Sequence, residues 1–263
     1  MTDSPLASHF EDNILTLTLN CPERRNSLSE AMIDALHKAF LEAGEDKEVR
    51  AIILAAEGHV FCAGHDLKEM TAARQHGDRG REYYCKIMDK CASMMIAMTK
   101  CPKPVIARVD GIATAAGCQL VATCDLAVAS TNSKFSTPGV HIGLFCSTPM
   151  VALSRNVSRK HAMEMLLLGE MVEAEKAAQI GLVNRVCAPE DVTGEALKIA
   201  RTIAGKSQVT VKFGKEAFYQ QIDMNLEDAY AHTCDVMVQN MLANDAEEGI
   251  NAFIEKRKPE WNN

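Results

Sequence analysis

The run Ala51–Ala56 (AIILAA) is apolar at every position, the pattern of a strand buried on both faces. A chain reaches that arrangement by packing helices against both sides of a sheet, and its neighbours fit the idea. Asn13–Leu19 (NILTLTL) reads as a strand from its β-branched content and partial alternation. Between the two, Ser27–Leu–Ser–Glu30 has the spacing of a capping box that opens a helix. Met32, Ile33, Leu36 and Phe40 follow at helical spacing, and Gly44 is expected to end the element. Strand, helix and buried strand together make one crossover unit of an α/β fold.

The theme repeats. Glu82–Thr99 reads as a helix, Val105–Val109 as a short strand behind Pro102 and Pro104, Ala116–Cys124 as a short buried helix and Leu126–Ala129 as a further strand. Beyond Arg155 the pattern is mostly helical: Lys160–Leu168, Glu173–Gln179, Asp191–Ala204, Val209–Gln221 and a last helix over about Leu226–Phe253. The expected organisation is an α/β core over 1–200 followed by a helical region over 201–263.

At 263 residues with 47% apolar content, the chain buries a sizeable core without staples. Its net charge of −7 disfavours polyanionic partners, so neither nucleic acid nor a membrane surface is expected to bind. No stretch of about eighteen apolar residues spans a bilayer. Ten cysteines include no Cys-x-x-Cys pair, which argues against a metal site, and most sit in apolar segments as free thiols. With no secretory signal in Met1 to Phe10, the expectation is a cytoplasmic protein.

Two small-residue junctions follow buried strands: Val60–Phe–Cys–Ala–Gly–His–Asp–Leu67 and Asp110–Gly–Ile–Ala–Thr–Ala–Ala–Gly117. Small residues let a ligand approach the backbone, and amides at a helix start stabilise an anion. Two such junctions could together supply two N–H donors to one oxyanion. Packing between helix and sheet is the alternative reading of the same residues.

Phe61–Cys–Ala–Gly–His–Asp–Leu–Lys–Glu–Met70 resembles the F-x-A-G-x-D-[IL]-x-E-M block of the crotonase (enoyl-CoA hydratase/isomerase) superfamily. So do Lys103–Gly111, Ala116–Leu120 with Cys124–Asp125, Cys21–Leu28, Glu173–Val183 and Phe253–Pro259, in order along the chain. Gly143–Pro149 and Phe213–Tyr219 resemble the enoyl-CoA hydratase domain-containing protein 3 group. The resemblance implies a crotonase-type spiral of β-β-α units with a helical carboxyl-terminal trimerisation region, assembled as a homotrimer or dimer of trimers. It implies a coenzyme A thioester as substrate or ligand, with no permanently bound cofactor. The thioester carbonyl would lie between the backbone amides of His65 and Ala116. Arg24, Arg25, Cys62, Ala63, Gly64, Asp66, Leu67 and Lys68 fall where the family contacts the coenzyme, and Lys256 and Arg257 where a neighbouring subunit's nucleotide is reached.

Family hydratases use two glutamates, in G-G-x-E-L and Q-P-E-[IV] contexts. Here Gln119 and Gly139 stand at those positions, and Ser147 falls where an isomerase aspartate would be. An amide orients water but does not exchange protons near neutral pH. His141 is the substitute titratable group, expected on the same side as Gly139 if the segment is extended. Tyr83 and Tyr84 are candidates to line the acyl pocket, and Asp66 and Glu69 to cap a helix. Two readings stay open: an enzyme of the lyase or isomerase class in fatty acid metabolism, with a proton path that uses no glutamate, and a non-catalytic acyl-CoA binding or interaction protein.

Overall fold

The computed structural model describes residues 4–261; the outermost residues of both expected regions, and of the leader segment read above, lie outside the described residues. The chain begins with a hairpin of β1 (Leu6–Glu11) and β2 (Ile14–Leu19), paired antiparallel. Asp12 and Asn13 both take positive φ in its two-residue loop, the twist-matching geometry for such turns. Then follow α1 (Glu30–Glu45), β3 (Ala51–Ala56), β4 (Val60–Cys62), α2 (Leu67–Ala73), α3 (Arg81–Lys100), β5 (Val105–Val109), β6 (Ile112–Thr114), α4 (Ala116–Thr123), β7 (Leu126–Ser130) and β8 (Lys134–Ser136). The remainder comprises α5 (Pro149–Asn156), α6 (Arg159–Leu168), β9 (Val172–Glu173), α7 (Ala174–Gln179), β10 (Arg185–Cys187), α8 (Val192–Ala204), α9 (Gln208–Gln221), α10 (Leu226–Met241) and α11 (Asn244–Glu255).

The strands sort into two sheets, ordered β1-β2-β3-β5-β7-β10 and β4-β6-β8-β9. Each turn of the chain gives one strand to the large sheet and the next to the small one: β3 then β4, β5 then β6, β7 then β8. The pairings β3–β5–β7 and β4–β6–β8 are all parallel, with a register shift between Val60 and Cys62, and successive turns stack as the expected spiral of β-β-α units.

The apolar run in β3 divides its side chains between two cores. Ile52 and Leu54 join the main core with α1, α3 and α4, while Ala51, Ile53 and Ala55 meet α8 on the opposite face. Helix α8 presents Val192, Ala196, Ile199 and Ala200 to that face at helical spacing. No described helix is long and apolar enough to cross a membrane.

Three local expectations are corrected. The cap of α1 is Ser29, which accepts from the Met32 N–H, because the Ser27 hydroxyl is engaged with Asp66 instead. Gly44 does not end α1; it lies inside the helix where a Cβ would crowd Pro102 at 3.3 Å. The helix expected over Leu226–Phe253 is two helices, interrupted at Leu242 and Ala243.

Candidate active site

The carboxyl ends of β4, β6 and β8 lead into the three segments that carried the chemistry in the sequence. Beside β4, residues 21–28 form a loop held by Asn26, buried with a φ of 49° that asparagine tolerates better than most residues. Its side-chain oxygen accepts from the Cys21 N–H, and its amide nitrogen donates to the carbonyls of Glu57 and Val60 at 2.8 and 2.7 Å. The loop then continues the sheet for one residue: Leu28 forms a parallel bridge with His65. That bridge uses the Gly64 carbonyl and the Asp66 N–H. In parallel pairing the intervening residue turns its own N–H the other way, so the His65 amide faces the side where β6 runs on into Ala116.

Ala116 opens α4, and an N–H in the first turn has no intrahelical partner. The preceding Ala115 holds φ 51° and ψ −120°, a strained conformation for a residue with a Cβ. The two segments touch. A Cβ on Gly64, whose φ is +90°, would come within 2.9 Å of the Ala115 Cβ and 3.2 Å of the Ala116 nitrogen. A Cβ on Gly117 would lie 2.1 Å from the Cys62 carbonyl oxygen. Glycine at 64 and 117 is what lets the two amide-bearing turns approach each other.

The surroundings are polar but uncharged. Both ring nitrogens of His65 are buried without a hydrogen-bond partner, and so is Oε1 of Gln119. Burial lowers the His65 pKa; the nearby Leu28 backbone opposes this only in part, without closing a hydrogen bond of normal geometry, so the imidazole is neutral at pH 7. Oγ of Ser136 and Oγ1 of Thr137, at the end of β8, are also unpartnered. Buried polar atoms usually find partners, so this concentration at the ends of β4, β8 and α4 points to a polar ligand.

The position of Gly139 is filled. Pro138–Ile142 forms a 3-10 turn, and a Cβ on Gly139 would meet the Leu144 carbonyl oxygen at 2.9 Å and Cys146 Sγ at 3.0 Å. The space beside Gly139 is occupied, and a glutamate does not fit there without displacing residues 144–146. The same turn corrects the expectation for His141. The segment is not extended, and His141 is exposed, with Nε2 against Gly169 at the end of α6. Cys146 is buried, which pushes its thiol pKa up. Ser147 is exposed, and its hydroxyl donates to the Phe145 carbonyl.

An ion cluster flanks the entrance. Asp66 caps α2 by accepting from the N–H groups of Lys68 and Glu69. Burial works against its carboxylate, but the Glu69 N–H, Arg24, Ser27 and the Lys68 N–H outweigh burial and hold its pKa below the usual range. Arg24 also reaches Glu69, whose other oxygen accepts from the Glu30 N–H and the Tyr83 hydroxyl. The Tyr83 pKa is pushed up to about 12 by burial and by Glu69. Tyr84 donates instead to the Met70 carbonyl. Leu67, Lys68 and Arg25 are exposed, and among the described residues neither Arg25 nor Lys68 has an ion pair. Cys62 is fully buried, its thiol pushed up to about 12, while Ala63 donates its N–H to the Arg25 carbonyl. Arg257 forms a two-pronged pair with Glu248.

Sequence reasoning overlooked one further cluster. Lys215 of α9 is buried, and its Nζ donates to Asp125 at 2.6 Å and to the carbonyls of Met98 and Lys103. Asp125 also accepts from the Tyr219 hydroxyl and the Val105 N–H. Lys215 lies among other polar residues of α9, so the sequence offered no clear signal, and its partner lies 90 residues away.

The family model for enoyl-CoA hydratase/isomerase matches residues 9–263. The chain is 47% identical over 251 residues to the rat protein "enoyl-CoA hydratase domain-containing protein 3, mitochondrial", covering 95% of this chain and 82% of that one. The human protein of the same name is 45% identical over 257 residues, covering 98% and 83%. Among solved structures, an enoyl-CoA hydratase from Mycobacterium smegmatis superposes with a TM-score of 0.93 at 51% identity, covering 98% of each chain. The human enoyl-CoA hydratase domain-containing protein 3 gives 0.92 at 45% identity, covering 98% of this chain and all of that one. The mitochondrial relatives overturn the expectation of a cytoplasmic protein. Cysteine usage does not distinguish the cytoplasm from a mitochondrial compartment. The spiral fold, the ordered motifs and these relatives agree, and the chain belongs to the enoyl-CoA hydratase/isomerase (crotonase) family.

Proposed function

We propose that this protein is an enzyme that binds an acyl-CoA thioester with its carbonyl oxygen between the amides of His65 and Ala116, and that it does not run two-glutamate hydration. The observation that carries this reading is the pair of unclaimed N–H groups on touching turns, beside a neutral Gln119 and a filled Gly139. A thioester that gains enolate character concentrates charge on that oxygen, and fixed donors in a dry site stabilise it; each is worth about 3–4 kcal/mol of barrier. Gln119 holds a polar group or a water by hydrogen bonds without exchanging its proton. Among the described residues of the candidate coenzyme segments, Arg25 and Lys68 have no ion pair and are available to the coenzyme phosphates, whereas Arg24 is paired with Asp66.

The proposed division between the core over 1–200 and the helical region over 201–263 falls in the last turn of α8, whose Val192, Ala196, Ile199 and Ala200 pack on the sheet. Helix α10 has no buried residue and exposes Leu226, Tyr230, Met237, Val238 and Met241, an apolar surface suited to a homotrimer or dimer of trimers. The test is crotonyl-CoA turnover, with binding measured in parallel by calorimetry. Binding with no loss of enoyl absorbance is the expected result; rapid hydration contradicts the reading.

A further inference from the structure

Four consecutive residues, Ala63 to Asp66, form the turn after β4, and the loop of residues 21–28 takes the amides of the outer two. Ala63 donates to the Arg25 carbonyl at 3.1 Å and Asp66 to the Leu28 carbonyl at 3.3 Å. In return the Leu28 N–H donates to the Gly64 carbonyl at 2.8 Å, and the Ser27 hydroxyl donates to Asp66 at 3.1 Å. The His65 N–H stays unclaimed only while the loop keeps this register. A slip of one residue in parallel pairing reverses which amides face the neighbouring strand, and would turn a loop carbonyl onto His65.

The register is set at Asn26. Arg25 and Asn26 both hold positive φ, 54° and 49°, in the bend that brings the loop back along β4. Asn26 is 0% exposed, so it reaches no ligand itself. Its side chain uses an acceptor and two donors at once: Oδ1 for the Cys21 N–H at 2.8 Å, and Nδ2 for the carbonyls of Glu57 at 2.8 Å and Val60 at 2.7 Å. Val60 opens β4, so one side chain fastens the start of the loop to the root of the strand whose continuation carries His65. Aspartate cannot replace it, because an ionised carboxylate only accepts and would face two carbonyl oxygens.

We infer that Asn26 is a positioning residue for one oxyanion donor: it holds the loop in the register that leaves the His65 N–H free and aimed. The inference rests on the thioester reading above. The Ala116 amide belongs to the separate turn at the head of α4, where Ala115 orients it, so the two donors can be disabled one at a time.

The experiment follows the C=O stretch of a carbonyl-labelled acyl-CoA by difference infrared spectroscopy, with affinity from calorimetry and folding from circular dichroism. Asn26→Gly adopts the left-handed backbone without strain and removes all three side-chain contacts. It is expected to bind the ester with affinity largely intact and to lose part of the wild-type band shift. Added to Ala116→Pro, it is expected to remove the shift that Ala116→Pro alone leaves. Asn26→Asp tolerates the same backbone, keeps the acceptor for Cys21 and lacks the two donors; it is expected to give the same loss and serves if the first variant does not fold. An undiminished shift in either folded variant, or no further loss when Asn26→Gly is added to Ala116→Pro, overturns the inference. A wild-type protein that binds no ester, or binds it without a band shift, overturns the thioester reading itself.

Discussion

Ala115 illustrates how single residues set the chemistry. Its positive φ costs about 1–3 kcal/mol in a residue with a Cβ, and the strain turns the next amide out at the head of α4. Because Ala116 occupies the first helical position, a proline there removes the N–H without breaking an intrahelical hydrogen bond. Ala116→Pro is therefore expected to lower the turnover of any enolate-forming reaction by about 10²–10³-fold while leaving coenzyme affinity largely intact. Steady-state kinetics with parallel calorimetry reads both quantities. Gly117→Ala pushes a methyl into the Cys62 carbonyl and is expected to destabilise by about 3 kcal/mol in urea titrations. His65 gives a pH signature. Its folded pKa lies below the unfolded value, so the unfolded chain binds the proton more readily. Its contribution to stability is complete above the unfolded pKa near about 6.5 and falls as pH drops toward the folded value. His65→Phe is expected to flatten the stability profile on the acid side of that point. An unchanged slope would show that the ring carries no burial penalty.

Among the elements, α9 is fastened to the core by a single buried polar cluster. The Lys215–Asp125 pair is more than four-fifths buried at both partners, and breaking such a pair strands a charge. Lys215→Met is expected to cost about 3 kcal/mol and to raise hydrogen exchange across α9 before the sheet opens. Uniform exchange across both would contradict the local tether. The legibility of the elements follows the same physics. β2, β3, α1, α3 and α8 were readable because six to twenty residues of patterned burial leave a signal. β4, β6 and β8 span three residues each, too short for any period, yet their ends build the site. The motif residues His65, Ala116 and Gln119 were legible through resemblance, whereas the placement of His141 failed because a 3-10 turn replaced the assumed strand. The Asp125–Lys215 contact and the packing of Cys146 over Gly139 depend on tertiary approach, which local pattern does not encode.

At the scale of the molecule, a rigid spiral of parallel strands holds two backbone turns in contact while the helical tail closes over one end of α4. Positions 119 and 139 carry no carboxylate pair, and position 139 is sterically closed, which supports the proposal that this chain does not run glutamate-dependent hydration on the shared scaffold. The proposed site polarises a carbonyl, and that action would be visible in the ligand. The decisive measurement is difference infrared spectroscopy of a carbonyl-labelled acyl-CoA bound to the protein. The thioester C=O stretch is expected to move to lower wavenumber on binding, and Ala116→Pro to remove most of that movement while the ester still binds. A bound ester whose carbonyl band stays at its solution position would contradict the account.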